Sequence, residues 1–162
     1  MMGVNILRAL AVVASLLPAV LAGRCRPEYH SLAGTCLKLV MPQSLTWREA
    51  LNLCQAEDPP ADLLKITRPE VLESVSRFIN THFAGESTQK ASLWVGGSGI
   101  NKEWSWVDGS KLSVKSNMWH PDEPSQGTRG YTKLVVVGDL HNRRYLVADG
   151  DAALATGYIC EH

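Results

Sequence analysis

Residues 117–125 read Asn117-Met118-Trp119-His120-Pro121-Asp122-Glu123-Pro124-Ser125, with Gly109 and Gly127 outside them. Two prolines fix the backbone and forbid a continuing helix, so the stretch is a stiff, irregular loop rather than a regular element. It carries Asp122 and Glu123 on a shaped surface. A glutamate and a serine flanking Pro124 can place two oxygens side by side, most easily across a cis Glu123–Pro124 bond. Oxygens aimed one way suit a hard cation or a polyhydroxylated ligand. A plain exposed turn would use the same prolines, so the surrounding chain has to decide.

Outward from the loop, the spacing is that of short strands. Trp94-Val95-Gly96 and Trp104-Ser105-Trp106 lie before it, with Gly97-Ser98-Gly99 as a turn between them. Lys133 to Val137 is the strongest buried-strand run, and Arg144–Val147 and Thr156–Cys160 follow. The segment from Gly109 to Tyr131 is longer than an ordinary connection, and such segments are usually functional. Helical patterns precede these strands. Thr46-Trp47-Arg48-Glu49 is a capping box, and Trp47, Ala50, Leu51 and Cys54 then share one face. Asp58-Pro59-Pro60 stops that helix. Thr67-Arg68-Pro69-Glu70 opens a second one, with a stripe of Val71, Val75, Phe78 and His82, ending at Gly85-Glu86-Ser87-Thr88. Helices first and strands after, without βα alternation, predict an α+β fold with an antiparallel sheet.

The 162 residues allow one domain and a leader. Sixteen basic groups balance sixteen acidic ones, so neither a nucleic-acid footprint nor an anionic-membrane anchor is expected. Residues 1–22 carry Arg8 and an apolar run from Ala9, too short to span a bilayer and ending in Val20-Leu21-Ala22. They read as a signal peptide, leaving a secreted domain over 23–162 with no membrane insertion of the mature chain. Cys25, Cys36, Cys54 and Cys160 then form two disulfides, for which spacing leaves three pairings open.

These residues together resemble the C-type lectin-like domain family. The resemblance rests on Cys25 and Cys36 ahead of Cys54 in a first helix, Trp94-Val95-Gly96, and Trp104-Ser105-Trp106-Val107-Asp108-Gly109. It continues through Asn117, Trp119, Glu123-Pro124-Ser125 and Ile159-Cys160-Glu161. It covers Cys25 to Glu161, in the long form with its own N-terminal hairpin, and implies the pairings Cys25–Cys36 and Cys54–Cys160. The family's second internal disulfide is missing; its positions fall near Leu134 and Ala152, so packing is expected to replace a tether.

Sugar-binding members hold calcium beside a Glu-Pro-Asn or Gln-Pro-Asp loop and an Asn-Asp pair, and vicinal sugar hydroxyls complete the shell. The resemblance carries over in part. Glu123 and Pro124 match the mannose-type loop, Ser125 replaces an amide, Val147-Ala148-Asp149 stands where Trp-Asn-Asp is expected, and Thr132 or a neighbour replaces a further glutamate. Glu123, Ser125 and Asp149 are therefore the candidate carbohydrate- and metal-binding residues. About four protein oxygens against the six to eight that calcium takes imply weak calcium binding.

Trp94, Trp104, Trp106 and Trp119 are expected in the core, Asp122 facing water, and Arg143-Arg144 at a solvated strand edge. His120, beside the loop, is expected to be an exposed histidine. No hydrolase elbow, zinc-protease motif or phosphate loop is present, so an enzyme is not expected. The resemblance implies a secreted lectin for glycans on microbial or host surfaces, with a pattern-recognition role in innate immunity. A homo-oligomer would lend avidity to a weak site. The alternative is a lectin-like domain that binds a protein partner or a surface without calcium.

Overall fold

A computed structural model describes residues 25–41, 44–82, 85, 90–100, 102–125, 127, 129–136 and 143–162. The proposed leader over 1–22, the helix stop at 86–88, and positions 137 and 141 lie outside these. Ala33 and Gly34 both take positive φ, 51° and 89°, as a two-residue hairpin turn requires. They join β1 (His30–Leu32) to β2 (Thr35–Val40). The Cys25–Cys36 disulfide closes this hairpin.

Helix α1 (Trp47–Gln55) starts where the capping box places it. The Glu49 amide donates to Thr46 Oγ1 at 3.4 Å, and Glu49 Oε2 accepts from the Thr46 amide at 2.8 Å. Thr46→Ala removes the cap and is expected to cost about 1 kcal/mol, read as a lower urea midpoint at unchanged slope. Trp47, Ala50 and Cys54 are buried as expected, with Leu51 at the margin. Helix α2 (Pro69–His82) buries Val71, Val75 and Phe78, and also Leu72 and Ile79. His82 does not join that stripe: it is exposed, with its ring stacked on Phe78 at 4.4 Å.

The strands form one sheet in the order β1-β2-β8-β4-β6-β7, with β4 (Leu93–Ser98), β6 (Tyr131–Val136), β7 (Arg144–Asp149) and β8 (Gly157–Glu161). Two short strands attach to it, β3 (Asp62–Leu63) on β8 and β5 (Ser105–Trp106) on β4. Pairing is antiparallel except between β4 and β8, which run parallel with Leu93 opposite Gly157 and Trp94 opposite Tyr158.

Alternation along the strands sends side chains to two cores. Leu93, Val95, Leu134, Leu146 and Ile159 join α2, Trp104, Trp106 and Trp119 in one. Trp94, Tyr131, Tyr158 and Cys160 join α1 in the other, where the buried Cys54–Cys160 disulfide crosses from helix to sheet. The same alternation overturns one expectation. Arg144 shares its face with Leu146 and Ala148 and is fully buried, not on a solvated edge. Its guanidinium donates to the Ala91 carbonyl at 2.9 Å, and burial lowers its pKa to about 10, so it stays charged. Leu134 is buried opposite Leu93 and Leu146, whereas Ala152 is exposed, so packing replaces the absent tether at one end only. Among the described residues, no helix is long and apolar enough to cross a membrane.

Candidate functional site

The loop over 117–125 lies along the outer edge of β7, on the side away from β6. Leu146 donates its amide to the Met118 carbonyl at 2.8 Å, and His120 donates to the Leu146 carbonyl at 3.0 Å. Trp119 anchors this contact from the core, its indole N–H donating to Ser113 O at 3.0 Å. Asp122 takes φ 71° and faces water, while His120 is half-buried and meets Tyr145 edge-on.

The Glu123–Pro124 bond is cis, and the Glu123 and Ser125 oxygens do stand together. Glu123 Oε1 accepts from Ser125 Oγ at 2.9 Å, and Oε2 accepts from the Ser125 amide at 2.8 Å. Oε2 also accepts from the Ala148 amide at 3.0 Å. A carboxylate has about four lone-pair positions, so three of them are already in use. Glu123 continues the hydrogen-bond ladder of β7 where the loop backbone stops.

Asp149 is engaged on the other side. Its Oδ2 pairs with Lys133 Nζ on β6, and its Oδ1 accepts from the Gly150 amide at 2.9 Å. Gly130 sits against it at φ 116°, where a Cβ would come 2.3 Å from the Asp149 carbonyl. Any side chain there would push the strands apart, so the backbone covers that carbonyl too. Lys133 is shielded, with a side chain 15% exposed and the ammonium 5.7 Å from the centre of the Trp94 ring. Thr132, expected near a further acidic ligand, is fully buried, and its Oγ1 accepts from the Gly97 amide at 2.9 Å.

The structure thus brings Glu123, and Ser125 bonded to it, to the Ala148 amide next to Asp149 in the chain, but the two carboxylates are held from opposite edges of β7. Among the described residues, no three His, Cys, Asp or Glu side chains gather as a metal-holding group. Calcium needs six to eight oxygens; both carboxylates offered here already accept hydrogen bonds, Asp149 is also paired with an ammonium, and Ser125 Oγ donates its proton to Glu123. These residues do not fit a resident calcium ion. Lys133 is the charged partner at the candidate site that sequence reading missed. It was visible only as part of a strand run, since its diagonal partnership with Asp149 depends on the β6–β7 register.

The Lectin C-type domain model matches residues 43–162. The chain is 32% identical to Rheacalcin-1 of Rhea americana over 106 residues, spanning 65% of this chain and 75% of that protein. It is 29% identical to Dromaiocalcin-1 of Dromaius novaehollandiae over 111 residues, 68% of this chain and 75% of that one. Among solved structures, an SPL-1–GlcNAc complex superposes with a TM-score of 0.65 at 20% identity, over 85% of this chain and 94% of that one. Human lithostathine gives 0.66 at 19% identity, over 85% and 90%. At such identities the structural likeness speaks for the fold. The matched domain, the two disulfides and the order of elements agree: the chain belongs to the C-type lectin domain family, whose members are carbohydrate-binding rather than enzymatic.

Proposed function

We propose that this chain is an extracellular lectin that meets glycan hydroxyls at Glu123, Ser125 and the exposed side of Asp149, without a calcium bridge. The observation that carries this reading is the Lys133–Asp149 ion pair. An ammonium supplies at Asp149 the positive charge that a cation would otherwise bring, and it does so from within the fold. The remaining lone pairs of Glu123, Ser125 Oγ and Asp149 accept from sugar hydroxyls, so the rim reads a polyol by hydrogen bonds alone. That the related SPL-1 structure is a complex with GlcNAc supports a sugar as the ligand class. Two disulfides support an oxidising, extracellular setting.

Chromatography on mannan and galactose resins tests this. Retention on at least one resin is expected, equal in calcium and in chelator. Ser125→Ala combined with Asp149→Asn is expected to weaken it about fivefold or more, for hydrogen bonds of about 1 kcal/mol each. Elution by chelator would restore the calcium-bridged, mannose-type reading. Failure to bind either resin would remove neutral glycans as the ligand.

A further inference from the structure

Beside the candidate rim, a groove of about 410 Å³ is lined by the segments Lys102–Trp104 and Lys111–Lys115. That volume lies within the range of small-molecule and cofactor sites. Lys102, Lys111 and Lys115 are all exposed, and none enters an ion pair among the described residues. Three lysines face one glutamate here, in a chain whose total charge is zero. The concentration of positive charge is therefore local to this groove.

The groove is also held in shape. Trp104 forms its floor at 2% exposure, and its indole N–H donates to the Gly127 carbonyl at 2.7 Å. Lys111 bridges Ser105 of β5, and Leu112 donates to the Trp104 carbonyl at 2.9 Å. The turn bearing Lys115 is fixed by its amide donating to Ser113 Oγ at 3.2 Å and by Trp119 on the Ser113 carbonyl. Through Trp104 and Trp119 the groove and the Glu123 loop share one framework.

We infer that this groove binds an anionic polysaccharide, with Lys102, Lys111 and Lys115 addressing its sulfate or carboxylate groups. Two features favour a charged sugar polymer over a dense polyanion. Glu103 would repel a closely spaced row of phosphates, yet it can accept from hydroxyls, and Ser113 adds a second neutral hydroxyl partner. Exposed Val114 offers an apolar contact for a sugar face, at 50% exposure. Lysine ammoniums are point charges with rotatable donors, suited to anions of varied geometry along a chain. The inference deepens the lectin reading by naming a ligand class, but it uses different residues from the rim.

The test is binding to sulfated dextran, polygalacturonate, neutral dextran and polyglutamate, with mannan as a separate arm. The protein is expected to bind sulfated dextran or polygalacturonate, and which of the two distinguishes sulfate from carboxylate. Neutral dextran should give no binding, and polyglutamate at least about tenfold weaker binding. Combined Lys102→Gln, Lys111→Gln and Lys115→Gln should lower anionic-polysaccharide affinity about tenfold or more, each exposed charge contributing up to about fivefold. The thermal midpoint and mannan retention should not change, and Arg77→Gln on α2 should leave all arms unaltered. Failure to bind both anionic polysaccharides overturns the inference, as does equal binding of polyglutamate or full affinity in the triple variant. Failure of the unmodified protein on both the mannan and galactose resins counts only against the rim and leaves the groove's ligand to be decided by the anionic arms.

Discussion

Replacing Cys54 and Cys160 together by alanine is expected to lower the thermal midpoint by about 10 °C, more than any other paired change on the surface or at the hairpin. The bridge spans 106 residues of sequence, and in the chain-entropy account closing a loop near that length stabilises by about 4.7 kcal/mol. Measured losses for native bridges run at about 2–5 kcal/mol, and each kcal/mol moves the midpoint about 2–4 °C in a chain of this size. Both cysteines are fully buried, so the vacated space adds a packing loss. Cys25–Cys36 spans only 11 residues and both partners are half-buried, so its alanine pair should cost distinctly less. Differential scanning calorimetry of the two double variants checks the order. Equal losses would mean that the denatured chain is already compact around the longer loop.

Trp47→Ala should be the most damaging single substitution on α1, at about 3–5 kcal/mol. Trp47 is 5% exposed, stacks on Tyr131 with ring centres 4.2 Å apart, and donates its indole N–H to the Val95 carbonyl at 2.8 Å. It thus joins the first helix to both β4 and β6. Trp47→Phe keeps the stack and loses the hydrogen bond, so about 1 kcal/mol is the expected cost. A urea titration of both variants separates packing from hydrogen bonding. An alanine variant as stable as the phenylalanine one would show that the stack contributes little. Because Tyr131 begins β6 opposite Asp149, the alanine variant should also weaken glycan retention beyond what its stability loss explains.

Much of the scaffold was written in local signals. The Thr46 capping box, the Pro69 start and the alternation around Trp94, Trp104 and Trp106 each specify an element through short-range chemistry, and each is where the sequence places it. Strand β3 was not legible, because two residues after Pro59 and Pro60 offer no period to detect. The parallel β4–β8 pair was hidden for a different reason: pairing between distant segments leaves no local trace. Arg144 could have been found. Arg144, Leu146 and Ala148 fall at every second position, which sends the guanidinium inward, but the adjacent Arg143 made the pair look solvated. At the candidate site, residue identities pointed to a strip of surface while saying nothing of what each carboxylate already holds. Lys133 opposite Val147 and diagonal to Asp149 is a matter of register, and Glu123 on the Ala148 amide is a matter of loop path.

That last contact sets up a competition. An exposed strand margin with vacant amides invites another chain to dock along it, and here a side chain rather than a neighbouring strand fills the final vacancy. A ligand that draws Glu123 Oε2 to itself must orphan the Ala148 amide, at roughly 1–3 kcal/mol if no water replaces it. A glycan that uses only the remaining lone pairs leaves this plug in place, whereas a ligand that pulls Oε2 off the Ala148 amide would open the strand margin to a second chain as it loads.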